Sequence, residues 1–256
     1  MSAEFIAFLT ELATLSDPIA MHYFNSTTLE IREKQDKTLV TQADLEIETA
    51  IRTCVKTQRP YWSILGEEFG DTCHFESKIR LIIDPIDSTQ NFLSRIPIFA
   101  TLLAIEENGE IVAGLVSAPA TQERWWAQKG KGSFYNGIGQ RVSQVSDLSQ
   151  AQAFHGSLYG SEATQTPPEL LTLLSQTRRQ RGMGDYLAHT LVAMGCGDFA
   201  VDFGLKPWDI APLKIIVEEA GGKVTNADGN FSLYTHSIVS SNRVLHPHII
   251  HRLLPV

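Results

Sequence analysis

The feature that most constrains this chain is an apolar run that ends in charged and hydroxyl side chains. Residues 79–83 read Ile-Arg-Leu-Ile-Ile, which predicts a buried β-strand, and Asp84, Asp87 and Thr89 follow at once. Pro85 fixes φ between the two carboxylates. Carboxylates three residues apart on such a turn can converge on a hard cation, although an Asp-Pro-x-Asp turn in a surface loop has the same pattern.

Two more acidic side chains stand at the ends of apolar segments. Glu67 follows the short apolar run at 63–65, and Asp209 opens an apolar helix that has Pro212 in its first turn. Oxygen-rich ligand sets without nitrogen or sulfur favour magnesium or manganese over zinc. A carboxylate near a helix N-terminus is also stabilised by the helix dipole, so this second interpretation of Asp209 stays open.

Hydrophobic periodicity predicts helices and strands along the whole chain, with a β-hairpin turn at Asn108-Gly109. The predicted helices cover 3–24, 42–58, a segment from about 168, 185–195, 209–220 and a short segment from 246. The predicted strands cover 63–65, 79–83, 98–106, 111–118, 124–127, about 152–157, 198–203 and 237–240. We expect one domain, 1–256, made of two packed lobes of about 1–150 and 151–256.

The charge of the chain argues against a nucleic-acid-binding surface. The 256 residues carry a formal net charge of −8, whereas binding to nucleic acid needs clustered Lys and Arg. Arg178, Arg179 and Arg181 form the one dense basic run. We interpret that run as a solvated helix end, with contacts to a substrate phosphate or to a second subunit as the alternatives.

Cysteine usage and hydropathy indicate the compartment. Cys54, Cys73 and Cys196 are odd in number and lack C-x-x-C spacing, which favours a reducing environment. The first residues lack a basic region followed by an apolar run, and no stretch approaches the roughly 20 apolar residues of a membrane span. We therefore expect a cytoplasmic protein without a membrane partner.

Two other groups of conspicuous residues have ordinary explanations. His246, His248 and His251 lie at a predicted surface helix start, where capping or solvation explains them better than metal binding. Trp125 and Trp126 are consecutive on a predicted strand, so their side chains point to opposite faces. We expect one ring in the core and the other at a candidate subunit interface.

Four separated motifs together resemble the signatures of the inositol monophosphatase family. They are, in chain order, Gly66-Glu67-Glu68, Asp84-Pro85-Ile86-Asp87-Ser88-Thr89, Trp208-Asp209-Ile210-Ala211 and Glu219-Ala220-Gly221-Gly222. The resemblance begins at residue 40 and implies an α/β (α+β) fold, a layered α-β-α-β-α sandwich that usually pairs as a homodimer. It also implies Mg²⁺, two or three ions per active site, with Mn²⁺ as a substitute.

The resemblance assigns roles to individual residues. Thr89, together with Asp44, would orient or activate the attacking water, and Glu67 would share that work. Thr41 and Asp44 also fit a helix capping box, which is the alternative explanation for both. The expected metal ligands are Glu67, Asp84, the backbone carbonyl of Ile86, Asp87 and Asp209. The expected substrate contacts are Asp87, Ser88, Thr89, Asp185 and Asp202.

Ser88 departs from the family pattern, which has glycine at this position. The resemblance implies that the backbone amides of Ser88 and Thr89 hold the phosphate. A side chain at Ser88 is expected either to crowd the phosphate or to force a different φ, since glycine alone reaches every backbone region freely. This departure leaves open a second class of function, a regulator that binds metal and phosphate without turnover.

Within the family, the chain is most similar to the histidinol-phosphatase branch, which acts in histidine biosynthesis. The similar segments are 116–119, 124–127 and 184–186. The implied substrate is histidinol phosphate, with inositol 1-phosphate and other sugar phosphates as the alternatives. Asp185 and Asp202 would contact the substrate beyond its phosphate, unless Asp185 only caps its helix and Asp202 is a solvated strand end.

Overall fold

A computed structural model describes residues 2–26, 31–33, 39–159 and 166–254 of the protein. The described chain contains seven α-helices and a short 3₁₀ turn at Leu148–Gln150. The helices are α1 (Ser2–Phe24), α2 (Gln42–Gln58), α3 (Thr89–Leu93), α4 (Glu169–Ser175), α5 (Asp185–Ala193), α6 (Pro207–Glu219) and α7 (His246–Leu253). All but the short α3 match helices that the periodicity predicts.

The strands form two main sheets. Those of the first half are β1 (Ile31–Glu33), β2 (Leu39–Thr41), β3 (Ser63–Gly66), β4 (Gly70–Thr72), β5 (Ile79–Asp87), β6 (Ala100–Glu107), β7 (Glu110–Ala118), β8 (Glu123–Gln128), β9 (Gly132–Tyr135) and β10 (Ile138–Gly139). Those of the second half are β11 (Gln152–His155), β12 (Arg179–Gly182), β13 (Phe199–Phe203), β14 (Gly222–Thr225) and β15 (Ser237–Asn242).

Eight strands build the large sheet, in the order β10-β9-β8-β7-β6-β5-β3-β4. All neighbours are antiparallel except β3 and β5, which run parallel. The predicted hairpin is confirmed: Glu107 pairs with Glu110, and Asn108 and Gly109 between them have φ of 52° and 81°. Two consecutive positive φ values are typical of the type I′ turn that Asn-Gly favours.

Five strands build the small sheet, in the order β12-β11-β13-β15-β14. Strand β11 is parallel to both β12 and β13, whereas β15 is antiparallel to β13 and β14. A separate ribbon pairs β1 with β2.

The helices and the two sheets stack in five layers. Helices α1 and α2 cover one face of the large sheet, and α5 and α6 lie between its other face and the small sheet. Helices α4 and α7 pack in the core on the far side of the small sheet. The α-β-α-β-α sandwich is therefore confirmed.

The period-two pattern of the strands decides which core each side chain enters. Along β5, Ile82 points into the middle layer while Leu81 and Ile83 point toward α1 and α2. Trp125 and Trp126 likewise separate, with Trp125 buried in the middle layer and Trp126 half-buried on the opposite face. The prediction that the two rings face opposite sides is confirmed.

The arginine run was predicted wrongly. Arg179 and Arg181 belong to β12, an edge strand of the small sheet, and not to a helix end. Backbone pairing with β11 determines this conformation, and exposed charged side chains are the usual composition of an edge strand.

The interpretation of His246 was also wrong. Its side chain is buried, with Nδ1 2.7 Å from Oγ of Ser241 and Nε2 3.0 Å from Oγ1 of Thr225. Burial lowers the pKa of His246 to about 4, so this ring is a neutral link between α7 and the small sheet. His248 and His251 are exposed, as expected for solvated residues.

No helix in the described ranges is long and apolar enough to cross a membrane.

The close contact between β7 and α6 generates a stability prediction. A Cβ at Gly114 would lie 2.6 Å from Cγ2 of Ile215 and 2.9 Å from the Pro212 backbone. We expect Gly114→Ala to lower the free energy of unfolding by about 1–3 kcal/mol because helix and sheet must separate. Urea denaturation measures it, with Gly139→Ala as the matched control, since nothing lies within 4 Å of a Cβ there. Equal stabilities for the two variants would contradict this packing.

Candidate metal centre and active site

An irregularity in β5 sets the geometry of the site. Asp84 pairs with Leu102 of β6 and Asp87 pairs with Ala100, so two residues of β5 lie opposite one residue of β6. This is a β-bulge, which inserts one extra residue and re-aims the side chains that follow. Thr101 faces the bulge, and its Oγ1 donates a hydrogen bond to the carbonyl oxygen of Pro85 at 2.9 Å.

The bulge turns both carboxylates toward the middle layer. In a regular strand Asp84 and Asp87 would point to opposite faces, because side chains alternate with a period of two. With the extra residue, both pair with residues whose side chains enter the middle core, Leu102 and Ala100. Ile86 points instead into the core beneath α1 and α2.

Asp209 reaches the same place from the start of α6. Its Oδ2 accepts a hydrogen bond from the backbone N–H of Lys206 at 2.7 Å, which holds the carboxylate at the N-terminal end of the helix. One carboxylate oxygen from each of Asp84, Asp87 and Asp209 lies within 4.8 Å of the others. The helix-end interpretation of Asp209 and its convergence with the β5 carboxylates are therefore both correct.

These carboxylates are electrostatically costly as they stand. Burial, and then the charges of Glu67, Asp209 and Asp87, raise the pKa of Asp84 well above its usual value. Burial, followed by the charge of Asp185, has the same effect on the pKa of Asp87, and burial with the charge of Glu67 raises the pKa of Asp209 to about 7. A cation among them would offset these shifts, because its positive charge favours the ionised carboxylates.

One buried oxygen tests whether a cation fits. Oδ1 of Asp84 has no hydrogen-bond partner among the described residues, although the side chain is only 2% exposed. Buried polar atoms normally have a partner, and an exception needs an explanation such as an ion. The all-oxygen donor set and this unpartnered atom fit a hard divalent cation.

Glu67 stands on the turn that follows β3, beside β5. Its backbone N–H donates to the carbonyl oxygen of Ile83 at 3.2 Å. Glu67 lies outside the 4.8 Å group, but its charge contributes to the raised pKa of both Asp84 and Asp209. The structure thus brings three of the four predicted acidic ligands within 4.8 Å of one another, and the fourth, Glu67, is near enough for its charge to act on Asp84 and Asp209.

Glu48 of α2 holds the Glu67 turn and was missed in the sequence analysis. Its fully buried carboxylate accepts hydrogen bonds from the backbone N–H of Glu68 at 2.8 Å and of Phe69 at 3.2 Å. Nε of Arg52 donates to the same carboxylate at 2.7 Å.

Gly66 is the sequence signal for this arrangement. A methyl group at Gly66 would collide with the Glu48 carboxylate. Gly66 therefore allows a carboxylate to lie directly against the turn that carries Glu67.

Ser88 keeps the backbone conformation that suits glycine. Its φ is +66°, in the left-handed region, so the expectation that a side chain would force a different φ is wrong. Oγ1 of Thr89 donates to the carbonyl oxygen of Ile86 at 3.0 Å. In the described chain, no backbone hydrogen bond from the Ser88 or Thr89 amide to the protein occurs.

Asp44 lies at the start of α2 and forms the predicted capping box. Its Oδ2 accepts hydrogen bonds from the backbone N–H of Thr41 at 2.8 Å and from Oγ1 of Thr41 at 2.6 Å. Strand β2, which ends at Thr41, contacts α3, which begins at Thr89. The capping explanation is correct for the Asp44 side chain. The contact between β2 and α3 also places the start of α2 near the helix that begins at Thr89.

Asp185 and Asp202 lie together beside Asp87. Oγ of Ser88 donates to Oδ2 of Asp185 at 2.6 Å, and the backbone N–H of Asp185 donates to Oδ2 of Asp202 at 2.8 Å. Tyr186 donates its backbone N–H to Oδ2 of Asp87 at 3.0 Å. These bonds dock the first turn of α5 against β5.

The ordinary explanations of these two acids are wrong. Asp185 does not cap α5, because the N-cap residue is Gly184 and the helix has no side-chain cap hydrogen bond. Asp202 is not a solvated strand end, because its side chain is buried. Burial, and then the charge of Asp185, raise the pKa of Asp202 to about 8.

His189 completes this buried group and was also missed. Its Nδ1 lies 2.8 Å from Oγ of Ser240, and its Nε2 lies 3.9 Å from Oδ2 of Asp202. Complete burial lowers the pKa of His189 to about 3, so the ring is neutral. A single histidine within a predicted apolar helix gave no signal of this contact.

A cavity of about 590 Å³ lies elsewhere, where α1 meets β7 and β8. Arg124 and Asp17 line it and form an ion pair with Nη2 2.6 Å from Oδ2. None of the predicted site residues lines this cavity, so the acidic cluster is the candidate site.

The bulge generates a prediction at Thr101. Thr101→Val keeps the side-chain shape but leaves the buried carbonyl of Pro85 without its donor, so we expect the free energy of unfolding to fall by about 1–3 kcal/mol. Thr101→Ser keeps the hydroxyl and loses only a methyl group, with an expected cost of about 0.8 kcal/mol. Urea denaturation of both variants measures the difference. A larger loss of unfolding free energy in Thr101→Ser than in Thr101→Val would show that the hydroxyl does not support the bulge.

Known proteins resemble this chain over most or all of its length. The Inositol monophosphatase family matches residues 1–254. A histidinol-phosphatase from Mycobacterium tuberculosis is 37% identical over 258 residues, which cover 99% of each chain. A fructose-1,6-bisphosphatase/inositol-1-monophosphatase from Thermotoga maritima is 37% identical over 217 residues, 84% of this chain and 82% of the relative.

A solved structure shares the same fold. The extragenic suppressor protein suhB from Bartonella henselae superposes with a TM-score of 0.91 at 28% identity, covering 98% of both chains. The family match over residues 1–254, the similar relatives and the shared fold all point to the same family. The chain belongs to the inositol monophosphatase family.

Proposed function

We propose that this phosphatase is magnesium-dependent and hydrolyses histidinol phosphate to histidinol and inorganic phosphate. The observation that carries the proposal is the convergence of Asp84, Asp87 and Asp209, together with the buried Oδ1 of Asp84, which has no hydrogen-bond partner among the described residues. A binding module has no need for this acidic group together with a hydroxyl that can position water. The non-catalytic alternative is therefore less well supported.

The residues that would hold the ions all offer oxygen. They are Glu67, Asp84, the backbone carbonyl of Ile86, Asp87 and Asp209. Magnesium bound there would offset the negative charge of the phosphate and lower the pKa of the attacking water. We propose two or three ions per site, with Mn²⁺ as a substitute.

The chain's own groups would place the reactants. Thr89 and Asp44 would orient the attacking water, with Glu67 sharing in its activation. The backbone amides of Ser88 and Thr89 would hold the phosphate oxygens, and no backbone hydrogen bond to the described protein occupies them. Positioning of this kind contributes much of the rate in phosphoryl transfer.

Metal dependence gives a direct prediction. We expect chelation to abolish phosphate release, and Asp84→Asn or Asp209→Asn to lower kcat by about 10²-fold or more, because a lost ligand removes several kcal/mol of charge stabilisation. Phosphate release with and without Mg²⁺ measures the effect, and circular dichroism checks the fold. Glu76→Gln, an exposed acid, is the control for the change in net charge. Full activity in metal-free buffer would refute the mechanism.

The substrate proposal rests on charge beside the phosphate site. Histidinol phosphate carries a protonated amine and an imidazole, whereas inositol phosphate offers only hydroxyls beyond its phosphate. The carboxylate of Asp185 stands next to Asp87 and Ser88, where it can accept a charge-assisted hydrogen bond from a cationic leaving group. The relative named histidinol-phosphatase supports this choice. Inositol 1-phosphate is the second candidate, supported by the Thermotoga maritima relative.

Selectivity between these substrates tests the assignment. We expect kcat/KM to be higher for histidinol phosphate than for inositol 1-phosphate, and Asp185→Asn to narrow the ratio on the scale of ~1.5–3 kcal/mol for one charged hydrogen bond. Asp202→Asn is the matched variant. Asp202 is buried and its Oδ2 already accepts the backbone N–H of Asp185, so its amide should narrow the ratio less.

Two results would contradict the substrate assignment. A wild-type preference for inositol 1-phosphate would promote the second candidate. An unchanged ratio of the two kcat/KM values in Asp185→Asn would show that this carboxylate does not take part in substrate recognition.

Assembly and location stay proposals that follow from the resemblance and from the cysteines. We propose a homodimer that acts in the cytoplasm. The three cysteines, Cys54, Cys73 and Cys196, are all unpaired, which supports a reducing compartment.

A further inference from the structure

Ser88 and Asp185 share an uncommon backbone conformation. Their φ values are +66° and +56°, in the left-handed region that few non-glycine residues adopt. The two residues are 97 positions apart in the chain, yet they lie against each other beside Asp87. Strained conformations of this kind persist only where the surroundings impose them, and they cluster at functional sites.

The Ser88 hydroxyl joins the two strained residues. Its Oγ donates to Oδ2 of Asp185 at 2.6 Å and lies 3.4 Å from Oδ2 of Asp87. A hydroxyl-to-carboxylate hydrogen bond of this length is charge-assisted and therefore stronger than a neutral one. The bond fixes the rotation of the Asp185 carboxylate about its Cβ–Cγ axis.

The backbone at Asp185 is held by contacts that do not involve Ser88. The N–H of Asp185 donates to Asp202, and the N–H of Tyr186 donates to Asp87. Gly184 packs so closely on Gly156 that a Cβ would lie 2.7 Å from its Cα. The position of the residue is thus set by β5, the small sheet and α5, whereas the Ser88 hydroxyl contacts its carboxylate directly.

We infer that Ser88 is a positioning residue whose hydroxyl aims the Asp185 carboxylate at the cationic part of the substrate and so sets leaving-group selectivity. The inference rests on the proposed function. Glycine would adopt the same φ without strain but would supply no donor. What the serine adds at this position is therefore the hydrogen bond to Asp185.

A cycle of two glycine substitutions isolates this bond. Ser88→Gly and Asp185→Gly both preserve positive φ and remove only side-chain atoms. The readout is the ratio of kcat/KM for histidinol phosphate over inositol 1-phosphate, because contacts to the shared phosphate cancel in it. We expect Ser88→Gly to lower the ratio about five- to tenfold, less than the full loss of one charge-assisted hydrogen bond, because Asp185 keeps its charge and loses only its fixed direction. In the Asp185→Gly background the same substitution should change it by less than about twofold.

A matched control separates this effect from backbone relaxation. Asn108→Gly also replaces a non-glycine residue of positive φ, but in the β6–β7 hairpin, where the strands pair at the end opposite Asp87. We expect it to leave the ratio unchanged. A drop of the same size in this control would assign the Ser88 effect to the backbone and overturn the inference.

The possible results show whether the proposed substrate or only the role of Ser88 is wrong. If wild-type protein releases no phosphate from histidinol phosphate, the proposed function is wrong and the inference fails with it. If wild-type protein prefers histidinol phosphate but Ser88→Gly has the same ratio, only the inference is wrong. An undiminished Ser88→Gly effect in the Asp185→Gly background would likewise overturn it, since the carboxylate that Ser88 is inferred to aim is absent there.

Discussion

The extra residue in β5 is the constraint on which the candidate site depends. It shifts the alternation of side chains between Asp84 and Asp87. Both carboxylates therefore enter the middle layer, and Ile86 enters the core beneath α1 and α2. Without it, one carboxylate would point into the apolar core beneath α1 and α2, where nothing compensates a charge. Pro85 suits the irregularity because it needs no ladder hydrogen bond from its nitrogen.

Two buried carboxylates, Glu48 and Asp84, differ in how the protein compensates their charge. Glu48 is fully buried, and it accepts hydrogen bonds from two backbone amides and from Arg52. Its charge is therefore compensated within the protein. Asp84 is as deeply buried, yet one of its oxygens has no partner in the described chain and its neighbours are acids. Glu48 organises a turn, whereas no basic or amide group of the described chain compensates the charge of Asp84, so a proton or a cation must do so.

Much of the fold and of the acidic cluster could be predicted from local sequence. Helix periodicity, the Asn-Gly hairpin and strands that end in carboxylates all act within a few residues of chain. The β-bulge, the hold of Glu48 on the Glu67 turn and the burial of Asp202 could not be predicted, because each depends on a partner distant in sequence. The prediction for the arginine run was wrong for the same reason, because pairing with β11 places Arg179 and Arg181 in a strand.

Ser88 shows a further limit of sequence reasoning. A pattern comparison marks it as a departure from glycine and predicts strain, but it does not show where the hydroxyl goes. The structure keeps the left-handed conformation and gives the hydroxyl an acceptor on the far half of the chain. Long-range hydrogen bonds of this kind decide whether an unusual residue is a defect or a functional part of a site.

The middle layer has a consequence for the order in which the protein can fold during synthesis. Helix α6 packs on five strands of the large sheet, β5 to β9, and on β14 and β15 of the small sheet. The ribosome completes the large sheet before α5 and α6 exist, so one apolar face of that sheet stays uncovered while about 80 further residues are made. Until the second half is made, that uncovered face is the kind of surface that favours aggregation, and Asp209 can join Asp84 only after α6 has been synthesised.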